Sequence, residues 1–271
     1  MATMSMPPAI TTTDLTRRFD AITAVDRLTM TIDAGTIFGL LGPNGAGKST
    51  TIKMLTTLLP PTSGHARVAG FDVAREPRRV RRAIGYVPQL VSADGGLTGV
   101  ENLALSAALY DIPHRQRATR IEDALAFMGL TEAARQLVRT YSGGMVRRLE
   151  IAQALLHQPA VLFLDEPTIG LDPIARHTVW DRLRESRRQF STTILITTHD
   201  MEEADVLCDR IAIMHGGRVA ISGSPAELKA HAGPDATLDD VFVAFAGTSL
   251  TEAEGTFRDI GRRRRTASRL G

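Results

Sequence analysis

The chain has 271 residues, 43% hydrophobic and 23% charged, with a formal net charge of +2, enough for one large domain with an ordinary apolar core. The near-neutral charge argues against a surface that tracks nucleic-acid phosphates, and no run of about 18 apolar residues is present to span a bilayer. A single cysteine, Cys208, excludes an internal disulfide and suits a reducing compartment.

In chain order, residues 1–10 carry neither basic residues nor a sustained apolar stretch, so they do not read as a secretory signal. Short β-rich runs follow at 36–41, 66–69, 83–87, 160–164 and 192–197, many of them separated by helical patterns. That alternation predicts an α/β fold with a central, mostly parallel sheet covered by helices. Between about 90 and 142 the pattern changes: 101–110 and 118–128 show helical spacing with no strand between them, which predicts a helical lobe inserted into the core. Runs at 210–214 and 218–221 flank Gly216 and Gly217, a hairpin signal at the sheet margin. After Pro225 the chain is helical through 238–245 and then turns polar and basic. The run Arg262, Arg263, Arg264 and Arg265 reads as a solvated tail, or else as one drawn to anionic lipid.

The sharpest motif is the stretch Gly42, Pro43, Asn44, Gly45, Ala46, Gly47, Lys48, Ser49 and Thr50, which fits G-x-x-x-x-G-K-[ST] between a predicted strand and a predicted helix. Its glycines let successive N–H groups turn inward onto phosphate oxygens, and the helix start adds partial positive charge. Lys48 is then placed to neutralise the β- and γ-phosphates, and Ser49 to offer its hydroxyl to Mg²⁺. A second motif closes the apolar run 161–164 with Asp165 and Glu166. Neighbouring strand residues face opposite ways, so the two acids can divide their work. Asp165 suits the Mg²⁺ shell, and Glu166 suits a general base or water-positioning role. Ser142, Gly143 and Gly144 precede a helical pattern, as either a helix cap or a second anion site. These motifs alone leave a P-loop kinase open as an alternative.

Taken together, residues 10–247 resemble the nucleotide-binding subunits of ABC transporters, and within them the drug-exporter group typified by the daunorubicin-resistance ATPase. The resemblance implies a P-loop NTPase core with an N-terminal antiparallel β subdomain and an inserted helical subdomain at about 90–158. It makes 9–247 the ATPase unit and 248–271 a basic tail. It implies that Gln89 contacts Mg²⁺ and senses a transmembrane partner, and that Ser142, Gly143 and Gly144 bind the γ-phosphate held by an opposite subunit. It makes Asp172, with Gly170 and Leu171, part of a loop crossing the dimer interface. His199 becomes a switch residue on the γ-phosphate and Phe19 the aromatic that stacks on adenine. Two features depart from the family pattern: Tyr141 and Met145 stand where the signature usually has Leu and Gln, and Phe19 stands where Tyr is usual. The implied activity is ATP hydrolysis with ATP and Mg²⁺, by a homodimer at the cytoplasmic face of the cell membrane. It would power permease subunits on separate chains, with no nucleic acid as partner. The alternative within the family is an ATPase without a transporter, acting on ribosomes or DNA.

Overall fold

The computed structural model describes residues 7–233 and 235–246; the expected basic tail, with its arginine run, lies outside the described residues. The chain opens with β1 (Ile10–Phe19) and β2 (Ile22–Ile32), a long antiparallel hairpin whose register runs from Ile10 opposite Ile32 to Phe19 opposite Ile22. After a crossover through β3 (Ile37–Leu41) and α1 (Lys48–Leu55), β4 (Ser63–Val68) pairs with the free edge of β1, and β5 (Phe71–Asp72) extends the sheet. The result is an antiparallel sheet in the order β2-β1-β4-β5.

The second sheet is built around β3. Helix α2 (Pro77–Ala83) leads into β6 (Ile84–Val87). Ala83, expected to open that strand, instead closes the helix, in keeping with alanine's high helix and low strand preference. The chain then leaves the sheet for α3 (Gly99–Leu109), α4 (His114–Phe127) and α5 (Gly143–Leu155) before returning as β7 (Val161–Asp165). Helix α6 (Pro173–Phe190), β8 (Thr193–Thr198), α7 (Met201–Leu207), β9 (Arg210–His215) and β10 (Arg218–Gly223) complete the sheet. Its order is β10-β9-β3-β8-β7-β6, parallel throughout except for the antiparallel edge strand β10, as the Gly216–Gly217 signal predicts. Helices α8 (Pro225–Ala232) and α9 (Leu238–Ala246) follow.

Strand alternation divides the interior into two layers. Val161 and Phe163 of β7 join β1, β2 and α1 in the layer between the sheets. Leu162 and Leu164 point the other way, into a layer shared with α3, α4, α5 and α6. Continuing the same period places Asp165 on the α1 side of the sheet. Every residue of β3, β7 and β8 is buried, as expected of parallel strands covered on both faces.

Candidate nucleotide-binding site

The loop between β3 and α1 depends on glycine at two positions. Gly47 has a φ of +103° and caps α1 without a side chain; a Cβ there would stand 2.5 Å from the carbonyl oxygen of Ala24. At Gly42 a Cβ would meet the Met214 carbonyl oxygen at 2.5 Å, so the loop can follow this path only against bare backbone. The loop lines a pocket of about 260 Å³ together with Ala24, Gln89 and Glu166, and its residues Pro43 to Thr50 all contribute to the wall.

Inside, Lys48 is buried, and its Nζ donates to the carbonyl oxygens of Gly42 at 2.6 Å and Pro43 at 3.2 Å. It also stands 3.7 Å from Glu166 Oε1. Burial draws the Lys48 ammonium below the ordinary lysine range, while Glu166 and then Asp165 pull it back up. An anion entering the pocket would relieve that desolvation. Ser49 Oγ donates to Asp165 Oδ1 at 3.1 Å, and Thr197 Oγ1 donates to the same oxygen. This set of hard oxygens fits Mg²⁺, which keeps several waters and takes one or two protein ligands beside substrate phosphates. Among the described residues no group of three or more His, Cys, Asp and Glu forms a self-sufficient metal cage. A cation here would therefore draw on nucleotide oxygens as well.

Glu166 has a left-handed backbone with φ +53°, a conformation that costs an L-residue about 1–3 kcal/mol. Its N–H is held by the Thr197 carbonyl at 3.0 Å and the Thr197 hydroxyl at 3.1 Å. The bend turns the carboxylate out of the strand and into the pocket. There Oε2 meets His199 Nδ1 at 2.7 Å, while Oε1 faces Lys48. The acid is thus bracketed by a cation and an imidazole, with its own side chain buried and His199 half exposed. That arrangement orients a carboxylate beside a phosphate cradle, as activation of an attacking water requires.

Gln89 joins the same pocket from the loop after β6. Ser142, Gly143, Gly144, Asp172 and Phe19 do not line it. Ser142 caps α5, its Oγ accepting from the Met145 N–H at 3.3 Å. A Cβ on Gly144 would come 2.7 Å from the Ala175 Cβ, so this glycine lets α5 approach α6 closely. Asp172 caps α6 by accepting from the Ala175 N–H at 3.0 Å. Phe19 is 41% exposed at the tip of the β1–β2 hairpin, with the Arg17 guanidinium 4.6 Å from its ring centroid. Sequence reasoning missed Thr197, although the β7–β8 register pairs it directly with Asp165. It also missed Glu203, a buried acid that accepts from Thr168 Oγ1 at 2.8 Å and Trp180 Nε1 at 2.9 Å. Burial holds the Glu203 carboxyl above its usual range. Glu203 ties α7, α6 and the loop after Glu166 into one block.

Comparison with known proteins agrees with this geometry. The ABC transporter family model matches residues 25–169. The daunorubicin/doxorubicin resistance ATP-binding protein of Streptomyces peucetius is 48% identical over 225 residues, 83% of this chain and 68% of its own length. The Nod factor export ATP-binding protein I of Ralstonia nicotianae is 42% identical, covering 83% of this chain and 70% of its own. A solved structure of an ATP-binding subunit of an ABC transporter superposes with a TM-score of 0.78 at 31% identity, over 88% of this chain and 99% of that one. No helix among the described residues is long and apolar enough to cross a membrane. On its cradle, its paired acids and these likenesses, the chain belongs to the ABC transporter family as an ATP-binding subunit whose ATPase activity is coupled to transport.

Proposed function

We propose that the chain is the motor of an exporter of drug-like or lipid-like molecules, working as a homodimer on permease subunits carried by separate chains at the cytoplasmic face of the membrane. The observation that carries this reading is Glu166 held between Lys48 and His199 at the mouth of the phosphate cradle. Export is supported by the likeness to relatives named for daunorubicin/doxorubicin resistance and for Nod factor export.

In this reading Lys48 and the loop N–H groups hold the triphosphate, and Ser49, Asp165 and Gln89 hold its Mg²⁺. The ion's chemistry is to neutralise charge on the phosphate oxygens. Phe19 stacks on the adenine. Glu166 receives the proton of the attacking water, and His199 orients the carboxylate and the γ-phosphate. Ser142, Gly143 and Gly144 lie away from this pocket, so their anion-binding helix start completes the site of a second copy, with Asp172 at the same interface. The ATPase unit is residues 9–247, with the helical lobe at about 90–158 passing its motion to the permease. A groove of about 680 Å³ between that lobe and α2 is a suitable seat for the permease, walled by Arg78, Arg81, Arg82, Tyr86 and exposed Leu58 and Leu109.

The test is Glu166→Gln. The variant is expected to bind ATP as the wild type does, to lose roughly 10²–10⁴-fold in phosphate release, and to accumulate as a dimer in magnesium and ATP. Normal turnover removes Glu166 from the chemistry. A stalled protein that stays monomeric beside its membrane subunits removes the shared site. Recovery of ribosomes rather than membrane proteins with the purified subunit removes the transport reading.

A further inference from the structure

Helix α5 carries two charged side chains that are buried away from the phosphate cradle. Arg147 and Glu150 pair at 3.1 Å with only 7% and 1% of their side chains exposed. Removing two charges from water costs several kcal/mol per ion, and apolar residues in place of a buried ion pair are often as stable. Both groups direct their remaining bonds to one loop. Arg147 donates from one guanidinium nitrogen to the Pro88 carbonyl at 2.8 Å and from the other to the Gln89 carbonyl at 3.1 Å. Glu150 Oε1 accepts from the backbone N–H and the hydroxyl of Ser92. The far end of the loop is held by α3, where Asn102 accepts from the Asp94 N–H at 2.9 Å and donates to the Asp94 carbonyl at 3.0 Å. Gln153 of α5 in turn donates to Ser106 of α3 at 3.1 Å. Although it follows core strand β6, the loop is therefore suspended from the helical lobe. Leu90 and Val91 stand exposed between the two grips.

The same helix begins at Ser142. We infer that Arg147 and Glu150 are positioning residues, a latch that makes the Gln89 loop of one nucleotide site and the Ser142 helix start of the other move as one body. The inference rests on the shared-site dimer proposed above. Gln89 lines this chain's own pocket, whereas Ser142 would face the nucleotide of the second copy. With a rigid tie between them, a shift of Gln89 on nucleotide binding displaces Ser142 as well. Occupancy of one site then changes affinity at the other, and the coupling is reciprocal. A loop gripped only by its flanking residues would absorb that shift instead.

The experiment compares wild type with R147M/E150Q, which removes both charges together and leaves an amide oxygen on α5 able to accept from Ser92. Three quantities are read: the dependence of hydrolysis on ATP concentration, the affinity for a fluorescent ATP analogue, and the thermal midpoint. The latch predicts unchanged affinity for the first analogue bound, a Hill coefficient falling to about 1, and turnover reduced by about 10- to 100-fold as the Ser142 end is misplaced. R147K keeps the charge facing Glu150 but reaches only one carbonyl, and it should lie between the two. A purely structural role would lower the midpoint and the analogue affinity together and leave cooperativity at the wild-type value, which overturns the inference. Should R147M/E150Q fail to fold, R147K decides: wild-type cooperativity overturns the latch, and lowered cooperativity at wild-type analogue affinity supports it. Non-cooperative hydrolysis by the wild type itself would instead sink the shared-site reading and the latch with it.

Discussion

At the scale of single residues, charge and burial carry the argument. Lys48 sits in a desolvated cradle with its ammonium donated to two loop carbonyls, a poor use of a cation unless an anion is to share it. Hydrogen bonds to charged groups are each worth roughly 1.5–3 kcal/mol, so Lys48→Ala is expected to weaken ATP binding by about 10- to 100-fold by titration calorimetry. Unchanged affinity would place the phosphates elsewhere. A different residue sets the response to acid. His157 stacks on Tyr110 with ring centroids 3.7 Å apart, and its Nε2 donates to the Ile84 carbonyl at 2.9 Å, while Nδ1 is buried without a hydrogen-bond partner among the described residues. Desolvation lowers its pKa from 6.5 to about 4. The folded state therefore binds fewer protons than the unfolded chain between these values, and stability falls as pH drops from about 6.5 toward 4, by on the order of 3 kcal/mol. His157→Phe keeps the stack and cannot titrate. In urea unfolding at pH 7 and pH 4.5 its stability relative to wild type should improve at the lower pH. A gap that does not move with pH would refute this account.

At the scale of elements, the helix starts do double duty. Ser142 satisfies an orphan N–H of α5, and the same helix end is the proposed contact for a second copy's phosphate. Aspartate caps helices about as well as serine, but it puts a carboxylate where an anion would dock. Ser142→Asp is therefore expected to retain thermal stability within about 1 kcal/mol and to lose ATP-driven dimerisation on a sizing column. A variant that still dimerises would reduce Ser142 to a cap. The elements also show where the one-dimensional pattern was readable. Strands β3, β7 and β8 are apolar runs buried on both faces, and α3 and α5 carry helical spacing. Strand β1, ITTTDLTRRF, has no strict alternation, and its pairing with β2 and β4 contains bulges. Its place in an antiparallel sheet is legible only by family resemblance, because register there is set by cross-strand contacts. Helix α2 is too short and too basic to announce itself.

At the scale of the whole molecule, Trp180 is the clearest keystone. It is fully buried on α6, and its indole N–H donates to Glu203 on α7, which also holds Thr168 beyond the paired acids. Trp180→Ala is expected to cost about 3–5 kcal/mol in urea unfolding, and a loss below about 1 kcal/mol would mean that the block is not shared as described. The amino-acid sequence by itself determined the phosphate loop, the acids at the end of β7, the helical lobe between β6 and β7 and the family. Each rests on local chemistry: glycines that permit a turn, a period of two that aims Asp165 toward α1, a cap before a helix. Only the tertiary structure decided that Glu166 lies between Lys48 and His199, that Thr197 braces both acids, and that Arg147 and Glu150 carry the Gln89 loop. Those contacts join residues far apart in the chain, and no local pattern specifies which distant partner a charged group will meet. That choice is made when the sheet order and the packing of the lobe bring particular strand ends and helix faces together, at sites where a buried charge must find a partner or bear the full cost of leaving water.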